Sequence, residues 1–383
     1  MSGGNAGYTS LQRVLAALSF KEADRVPFFF LLTTHGAREL GLSIKDYFGD
    51  AEAVAEGQCR MQKRYGHDCL YAFTYASLET EAWGAQVDFV DDGPPNAGSL
   101  IINRPQDIDS LAAPDVASAP CLQRSLKAIR LMKERVKDEV PIIGVVMSPF
   151  SLPVMQMGFP AYLDLLYADH GGPGGGPGPD RGDKLGSGGA GDSDSGGSGP
   201  DRSRFDRLMR VNQTFCTQWA NAQLEAGATA ICYFDPVSST DMIPAELYRE
   251  LAYPVACATI GGIKGPTATH FASGRCLGLV DLVAQTKTAL IGLSVLDDLG
   301  EAKKRCAGRL TVFGNLDGIA MRRWTRADAE REVKKALAAA AAGGGFILSD
   351  NHGEMHYSVD ESVLDSIADA LRTWGRYPLD WAT

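Results

Sequence analysis

The sequence predicts an α/β protein built as one (β/α)8 barrel domain over residues 1–383. Eight short apolar runs alternate along the chain with segments that carry apolar residues at helical spacing. The runs are continuously apolar, as the strands of a parallel sheet covered on both faces must be, and 383 residues is a usual length for such a barrel. A hydrophobic content of 45% and a charged content of 22% are those of a globular protein.

The elements follow in order from apolar periodicity, caps and breakers. The predicted strands are residues 25–32, 69–73, 141–146, 229–234, 265–270, 289–293, 310–314 and 346–348. The predicted helices are residues 9–18, 37–65, 122–136, 151–167, 204–226, 246–261, 279–286, 296–306, 326–342 and 361–374. Thr9 or Ser10 caps the first helix, and Gly227 ends the helix before the fourth strand. Residues 83–102 are predicted to form a hairpin-like excursion around a turn at 92–95.

One segment interrupts this pattern between two predicted helices. Residues 170–203 consist mostly of Gly, Pro, Asp and Ser, which cannot bury enough apolar surface to offset the loss of chain entropy. The segment is therefore predicted to be a flexible, disordered insertion. It is not a phosphate-binding loop, because no strand precedes it and no Gly-Lys-Ser/Thr sequence follows.

Charge and cysteine content limit the partners and the compartment. The net charge of −10 without a basic stripe argues against nucleic acid or an anionic membrane, and favours a small molecule or a protein partner. The eight cysteines are scattered, as is typical of core residues in a reducing compartment. No secretory leader and no apolar run of about 18 residues is present, so a cytoplasmic protein is expected. The sequence leaves open whether it is a homodimer.

The residues at the carboxyl ends of the predicted strands form the candidate site, because barrel enzymes place their active sites there. These residues are His35, Tyr75, Ser148, Asp235, His270, Asn315, Asp350 and His352. Four of the six histidines, including His356, lie in or next to this set. Among these side chains, His270, Tyr75 and Asp235 are the predicted catalytic residues, and Ser148, Asn315 and His35 are predicted to contact a cofactor.

The same side chains allow more than one chemistry. His270 and His352, completed by Asp350 or Glu354, are predicted to bind zinc, although Asp235 and His356 are further candidates and hydrogen bonding to substrate is the alternative. Asp235 is a ligand carboxylate or a helix cap, and Tyr75 is a proton donor or a pocket wall. The arginines that could recognise a substrate carboxylate, or be surface residues, are Arg38, Arg275 and Arg322.

Several runs resemble the uroporphyrinogen decarboxylase superfamily, and within it the corrinoid-dependent methyltransferases that act on coenzyme M. The runs are residues 23–27, 79–87, 225–228 with 234–236, 313–317 and 345–349. The resemblance implies a (β/α)8 barrel and a methyl transfer between a small methylated compound or thiol and a corrinoid. In those methyltransferases a His-x-Cys pair after strand five and a cysteine after strand eight hold a zinc ion that activates the thiol.

This chain departs from that pattern. His270 matches the histidine, but Ala272 stands in place of the first cysteine, and His352 stands approximately in place of the second. No Asp-x-His-x-x-Gly stretch is present, so cobalamin is expected on a partner corrinoid protein or free. The arginine-rich segment that the resemblance implies for true uroporphyrinogen decarboxylases is also missing, since residues 31–35 are Leu-Leu-Thr-Thr-His. The alternatives are a metal-independent decarboxylase of a small carboxylic or porphyrinogen-like substrate and a non-catalytic corrinoid- or ligand-binding protein.

Overall fold

A curled, parallel seven-stranded sheet forms the centre of the computed structural model, which describes residues 7–168 and 200–382. The strands are β1 Leu70–Tyr71, β2 Val87–Asp88, β3 Asn96–Ala97, β4 Ile142–Met147, β5 Ala230–Phe234, β6 Thr267–His270, β7 Leu290–Gly292, β8 Thr311–Leu316 and β9 Phe346–Asp350. The sheet order is β1-β4-β5-β6-β7-β8-β9, and β2 pairs with β3 in a separate antiparallel hairpin. The predicted α/β barrel class is thereby confirmed, as is the excursion, although its returning strand is Asn96–Ala97.

Helices alternate with the strands of the sheet as predicted. They are α1 Ser10–Leu18, α2 His35–Leu40, α3 Ile44–Gly49, α4 Ala51–Tyr65, α5 Leu78–Ala82, α6 Pro120–Val136, α7 Pro153–Met157, α8 Phe159–Tyr167, α9 Pro200–Ala226, α10 Ala245–Leu247, α11 Tyr253–Gly262, α12 Val280–Gln285, α13 Leu299–Cys306, α14 Arg326–Ala340 and α15 Glu361–Trp374. Thr9 caps α1 in a capping box with Gln12. The single helix predicted over 151–167 is two helices, because Gly158 between them has a φ of +80°.

The predicted insertion over 170–203 lies outside the described residues, except for its last four, which belong to α9. None of the helices in the described part of the chain combines the length and the apolar character needed to cross a membrane.

The first predicted strand, residues 25–32, is an extended segment rather than a regular strand. It joins the two edges of the sheet, since Phe29 N–H donates to the Leu348 carbonyl at 2.8 Å and the Phe28 carbonyl accepts from Asp68 N–H at 2.8 Å. A regular ladder cannot form here, because Pro27 has no N–H and Phe28 N–H donates to the Asp68 carboxylate at 3.0 Å. The barrel is therefore closed by this segment through an isolated parallel bridge to Leu348 on one side and the hydrogen bond from Asp68 N–H on the other.

A buried ionic cluster fixes the same segment at the amino-terminal end of the barrel. Asp68 is fully buried and accepts hydrogen bonds from Arg13 at 2.6 Å and from Arg25 at 2.7 Å. Ser10 of α1 also donates to its carboxylate. The run 23–27, which carried part of the family resemblance, therefore has a structural role here.

The barrel interior is filled by side chains from the strands and from the closing segment. Phe29, Tyr71, Val145, Phe313 and Ile347 belong to one buried apolar cluster. Val14 and Ala17 of α1 pack against its lower end and close the bottom of the barrel. The carboxyl-terminal end of the barrel is thus the face left for a site.

Candidate functional site

The carboxyl ends of β4, β5 and β6 meet at a network of buried polar groups. Asp235, 1% exposed, accepts hydrogen bonds from Ser148 at 2.5 Å and from Ser151 at 2.6 Å, while its own N–H donates to the His270 carbonyl. Burial raises the pKa of Asp235 despite these hydroxyl donors. Asp235 therefore ties three strand ends together through its carboxylate and its backbone N–H, and the two serine bonds of the carboxylate suit a structural role better than a catalytic one.

His270 lies at the end of β6, entirely inside the protein. Its ring packs between Phe234 and Phe313, with centroid distances of 5.5 and 5.1 Å, and its Nδ1 accepts the Ala272 N–H at 2.9 Å. Burial, and then the neighbouring His352, lowers the pKa of His270 to about 3, so the ring is neutral at ordinary pH. With Nδ1 as acceptor the proton lies on Nε2, which is buried without a hydrogen-bond partner.

Residues 351–359, the mouth segment, fold across the top of the barrel and cover His270. The Gly353 carbonyl accepts the Tyr71 hydroxyl at 2.8 Å, and Met355 N–H donates to the Leu31 carbonyl at 2.9 Å. Arg38 donates to the Val359 carbonyl at 3.1 Å and stacks on the Tyr357 ring at 4.4 Å. The segment is thus anchored to the barrel at several points.

Gly353 is the residue of the mouth segment that a side chain would disturb most directly. It has a φ of +87°, and a Cβ there would lie 2.5 Å from Phe234 Cε2. We expect Gly353→Ala to lower the free energy of unfolding by about 1–2 kcal/mol for the left-handed backbone, with a further 1–3 kcal/mol for the clash. Gly308→Ala is the matched control, since φ is +70° there and the space is open. Equal losses in urea denaturation would contradict the close contact.

Beside the mouth segment, the loops after β4, β5, β6 and β9 enclose a cavity of about 420 Å³, the mouth pocket. Its wall is largely apolar and rich in thioethers, with contributions from Met147, Val154, Met155, Phe159, Met242 and Phe271. Among its lining residues only His352 and Asp241 carry ionisable side chains. An apolar pocket with a few convergent polar groups is the usual form of a small-molecule site.

His352 is the imidazole that reaches this pocket. It is half-buried, its Nδ1 forms a short hydrogen bond with the Ser273 hydroxyl, and its backbone N–H donates to Asp350 Oδ1 at 2.8 Å. Asp350 is 1% exposed, and burial raises the pKa of its carboxyl group. Burial also raises the pKa of Glu354, whose carboxylate bonds the Thr33 hydroxyl, to about 7. The mouth therefore holds two carboxyl groups that retain protons more readily than in water.

Of the predicted site residues, only His352 lines the mouth pocket, and Tyr75 and His35 are turned towards other parts of the structure. Tyr75 points into the helical layer, where its hydroxyl bonds Glu81 and accepts from Arg124 at 3.1 Å and its ring packs on Phe48. Its predicted catalytic role is not supported by this position. His35 is buried and packs edge-on against Tyr357 of the mouth segment at 6.0 Å, so it does not line the pocket.

Asn315 lines a different cavity, of about 450 Å³, between the β7–α13 loop and α14. Asn315 itself donates to the Ser294 carbonyl at 2.9 Å. Two carboxylates of this cavity already accept hydrogen bonds from backbone N–H groups. Asp298 caps α13, and Asp317 accepts the N–H groups of Ile319 and Ala320. Although this cavity is slightly larger, the mouth pocket is the better candidate because four strand ends converge on it.

None of the three arginines considered for carboxylate recognition lines the mouth pocket. Arg38 holds the mouth segment, and Arg275 lies 3.5 Å from Asp241. Arg322 is exposed and bonds the Ile319 carbonyl.

The predicted zinc ligands do not form a metal site in this arrangement. Within residues 7–168 and 200–382, no group of three or more His, Cys, Asp or Glu side chains is placed to hold a metal ion. Several donor atoms are engaged by the protein itself: His270 Nδ1 by Ala272 N–H, His352 Nδ1 by Ser273, and Glu354 by Thr33. His270 Nε2 and Asp350 Oδ2 are buried without a partner, but two atoms do not make up a zinc ligand set. These residues do not fit a zinc ion, and the zinc site stays a prediction from the sequence.

Sequence reasoning missed the apolar wall of the pocket and Ser273. Met155 and Phe159 lie in the region predicted as one helix, where apolar spacing indicates only a buried face. Ser273 is three residues beyond His270, and only the fold shows that it faces His352. No local pattern distinguishes such residues from ordinary core or loop residues.

Comparison with known proteins shows which family and which relatives this chain resembles. A model of the family described as uroporphyrinogen decarboxylase (URO-D) matches residues 9–171 and 200–374. Uroporphyrinogen decarboxylase of Actinobacillus pleuropneumoniae serotype 5b (strain L20) is 24% identical over 342 residues, which are 85% of this chain and 84% of the relative. The protein of that name from Cupriavidus necator is 26% identical over 316 residues, covering 78% and 77%.

A solved structure shares the fold. It is a methyltransferase from Methanosarcina mazei, with a TM-score of 0.75 and 17% sequence identity over 96% of this chain and 99% of that one. At this identity the likeness shows a common architecture.

Proposed function

Because the chain belongs to the uroporphyrinogen decarboxylase family, we propose that it is a methyltransferase of this family. It moves a methyl group between a small methylated compound or thiol and a corrinoid carried by a partner protein. The mouth pocket is the observation that carries this proposal. The Methanosarcina mazei protein that shares the fold is named a methyltransferase, which supports the same reaction class.

The pocket lining favours a substrate without several negative charges. Seven of its fifteen lining residues are methionine, valine or phenylalanine, and no arginine or lysine lines it. A carboxylate that enters such a wall loses its hydration without gaining a cationic partner, which costs several kcal/mol per ion. A porphyrinogen with many carboxylates would meet this cost repeatedly, whereas a thiol or a thioether matches the polarisable methionines.

His352 is the group placed to move the proton. When its Nδ1 carries hydrogen and donates to Ser273, the Nε2 lone pair is free to take a proton from a thiol bound in the pocket. The sulfur then forms a bond to the methyl carbon, and the group that leaves that carbon keeps the bonding electron pair. These proton and methyl movements use no metal ion held by the described side chains.

The assay for this proposal uses free methylcobalamin as the methyl donor and a panel of small thiols, without oxygen. We expect thiol-dependent loss of methylcobalamin, seen by absorbance, with the methyl thioether as product. Val154→Trp fills the pocket and should abolish the reaction, whereas Leu42→Trp, at an exposed position outside the pocket, should not. Equal rates in the two variants would contradict the pocket as the site.

Metal removal separates this mechanism from zinc activation. We expect dialysis against a strong chelator to leave the thiol-dependent rate within about twofold of the untreated protein, because the described donors do not form a metal site. Elemental analysis before and after dialysis provides the control. A rate that falls with zinc content and returns on adding zinc would contradict the metal-free step.

A decarboxylase is the second candidate, and two observations favour it. The curated relatives compared above carry that name, and Asp350 and Glu354 have raised pKa values that suit proton donation to a carbanion. Release of carbon dioxide from a small carboxylic acid, lost in Glu354→Gln, would support this candidate.

A further inference from the structure

Strand β4 continues beyond the point where its neighbour β1 ends. The two strands pair only at Leu70 with Ile142 and Tyr71 with Ile143, and the last bond between them runs from Ala72 N–H to the Ile143 carbonyl. β4 then runs on to Met147 while the chain after β1 turns away towards α5. The backbone groups of alternate residues of β4 bond to β5. The backbone groups of Val145 and Met147 point the other way, towards the side of β4 that β1 no longer covers.

Side chains from two helices replace the missing strand. Gln223 of α9 bonds Val145 twice: its Oε1 accepts the N–H at 3.0 Å, and its Nε2 donates to the carbonyl at 2.8 Å. At Met147, Glu79 Oε1 of α5 accepts the N–H at 3.1 Å, and Cys216 Sγ of α9 donates to the carbonyl at 3.2 Å. The buried backbone groups are satisfied in this way without a strand.

We propose that Glu79, together with Cys216, is a positioning residue that fixes the end of β4 and thereby the Met147 wall of the mouth pocket. This inference rests on the proposed function for its kinetic consequence. Glu79 itself lies on α5 and does not line the pocket.

The path from Glu79 to the pocket is short. Met147 lines the pocket, and the next residue, Ser148, bonds Asp235 at 2.5 Å and accepts the Ser151 N–H at 2.9 Å. Ser151 also lines the pocket. A shift of the Met147 backbone would therefore move one wall directly and a second part of the wall through Ser148.

The chemistry at Glu79 indicates what can replace it. The side chain is 3% exposed, and burial raises the pKa of its carboxyl group to about 7. A carboxyl oxygen accepts an N–H in either protonation state, and Gln223 performs the equivalent task at Val145 with a neutral amide. A glutamine at position 79 should therefore keep the bond to Met147, whereas an alanine cannot.

Amide hydrogen exchange tests the positioning role without substrate. In Glu79→Ala we expect exchange in a peptide covering residues 142–152 to be about tenfold faster, which corresponds to about 1.4 kcal/mol. Glu79→Gln should exchange at the wild-type rate, and the β8 peptide 311–316 should be unchanged in both. In the methyl-transfer assay, Glu79→Ala should raise KM about tenfold with little change in kcat, and Glu79→Gln should restore KM.

Three results would overturn the proposal. Equal exchange in Glu79→Ala and wild type would show that Glu79 does not hold the strand, and Glu79→Gln as fast as Glu79→Ala would show that a neutral acceptor does not suffice. Cys216→Ala removes only the carbonyl partner, and should speed exchange of the same peptide even if Glu79→Ala does not fold; wild-type exchange there would also overturn it. Because exchange needs no substrate, an inactive wild type would contradict the methyltransferase proposal and leave this test intact.

Discussion

Asp68→Ala is expected to lower the free energy of unfolding by about 3–5 kcal/mol, because it removes the fully buried carboxylate of a largely buried ionic cluster. Arg25 would keep its charge with a side chain only 16% exposed and without this partner, Arg13, 8% exposed, would keep only Asp24 as an ion-pair partner, and Phe28 N–H would lose its acceptor. The loss should be seen as a lower urea midpoint at an unchanged slope. Asp68 accepts hydrogen bonds from Ser10, Arg13, Arg25 and the Phe28 N–H, so its removal also loosens the segment that closes the barrel.

Asp281→Ala is the matched control. Asp281 also pairs with two arginines, Arg305 and Arg309, but it is 59% exposed, so its removal should cost under about 1 kcal/mol. Asp68→Asn keeps an oxygen for the Phe28 N–H, so its loss of unfolding free energy should lie between the losses for Asp68→Ala and Asp281→Ala. This variant keeps the test possible if Asp68→Ala does not fold. A loss for Asp68→Ala no greater than that for Asp281→Ala would contradict the structural role of the cluster.

His352→Ala is expected to reduce kcat/KM for thiol methylation by about 10²–10⁴, the usual contribution of a general base. The ring is half-buried and its hydrogen bond is to Ser273, so the fold should tolerate the change. Ser273→Ala removes the hydrogen bond to the His352 ring but leaves the ring in place, so it should lower kcat/KM by a smaller factor. Steady-state kinetics at saturating donor would measure both variants.

Ser358→Ala serves as the control for His352. Ser358 lies on the same mouth segment but is exposed and does not line the pocket. The kcat/KM of the Ser358→Ala variant should therefore equal that of the wild type. If His352→Ala and Ser358→Ala had the same rate, His352 would not be the base. Circular dichroism of each variant would confirm that the fold is intact.

The fold was largely predictable because its signals are local. Continuous apolar runs such as residues 141–146 and 229–234 are typical of strands in a sheet covered on both faces. The capping residues of α1 and α14 mark in the sequence where these helices begin. The exception is residues 25–32, whose composition is that of a strand. Its ladder is prevented by Pro27 and by the Asp68 carboxylate, a partner that is 40 residues away in sequence.

The site was predictable as a location but less so as a set of roles. The ends of the predicted strands do bring Ser148, Asp235, His270, Asp350 and His352 to one face. The direction in which each side chain points could not be predicted, because a one-residue difference at a strand end decides whether the side chain enters the mouth or the helical layer. Tyr75, whose ring packs on Phe48 in the helical layer, is an example. The gap beside β4, filled by Gln223 and Glu79, depends on where β1 stops, which the apolar pattern does not define.

The most direct test of the central claim compares two reactions in one preparation. The mouth pocket is apolar and has no arginine or lysine in its wall, so it should accept a thiol or a methylated compound and reject a porphyrinogen with many carboxylates. We predict thiol-dependent demethylation of methylcobalamin that is lost in His352→Ala, and no carbon dioxide from uroporphyrinogen above the rate without protein. Saturable decarboxylation of uroporphyrinogen, with no methyl transfer to any thiol, would contradict this account.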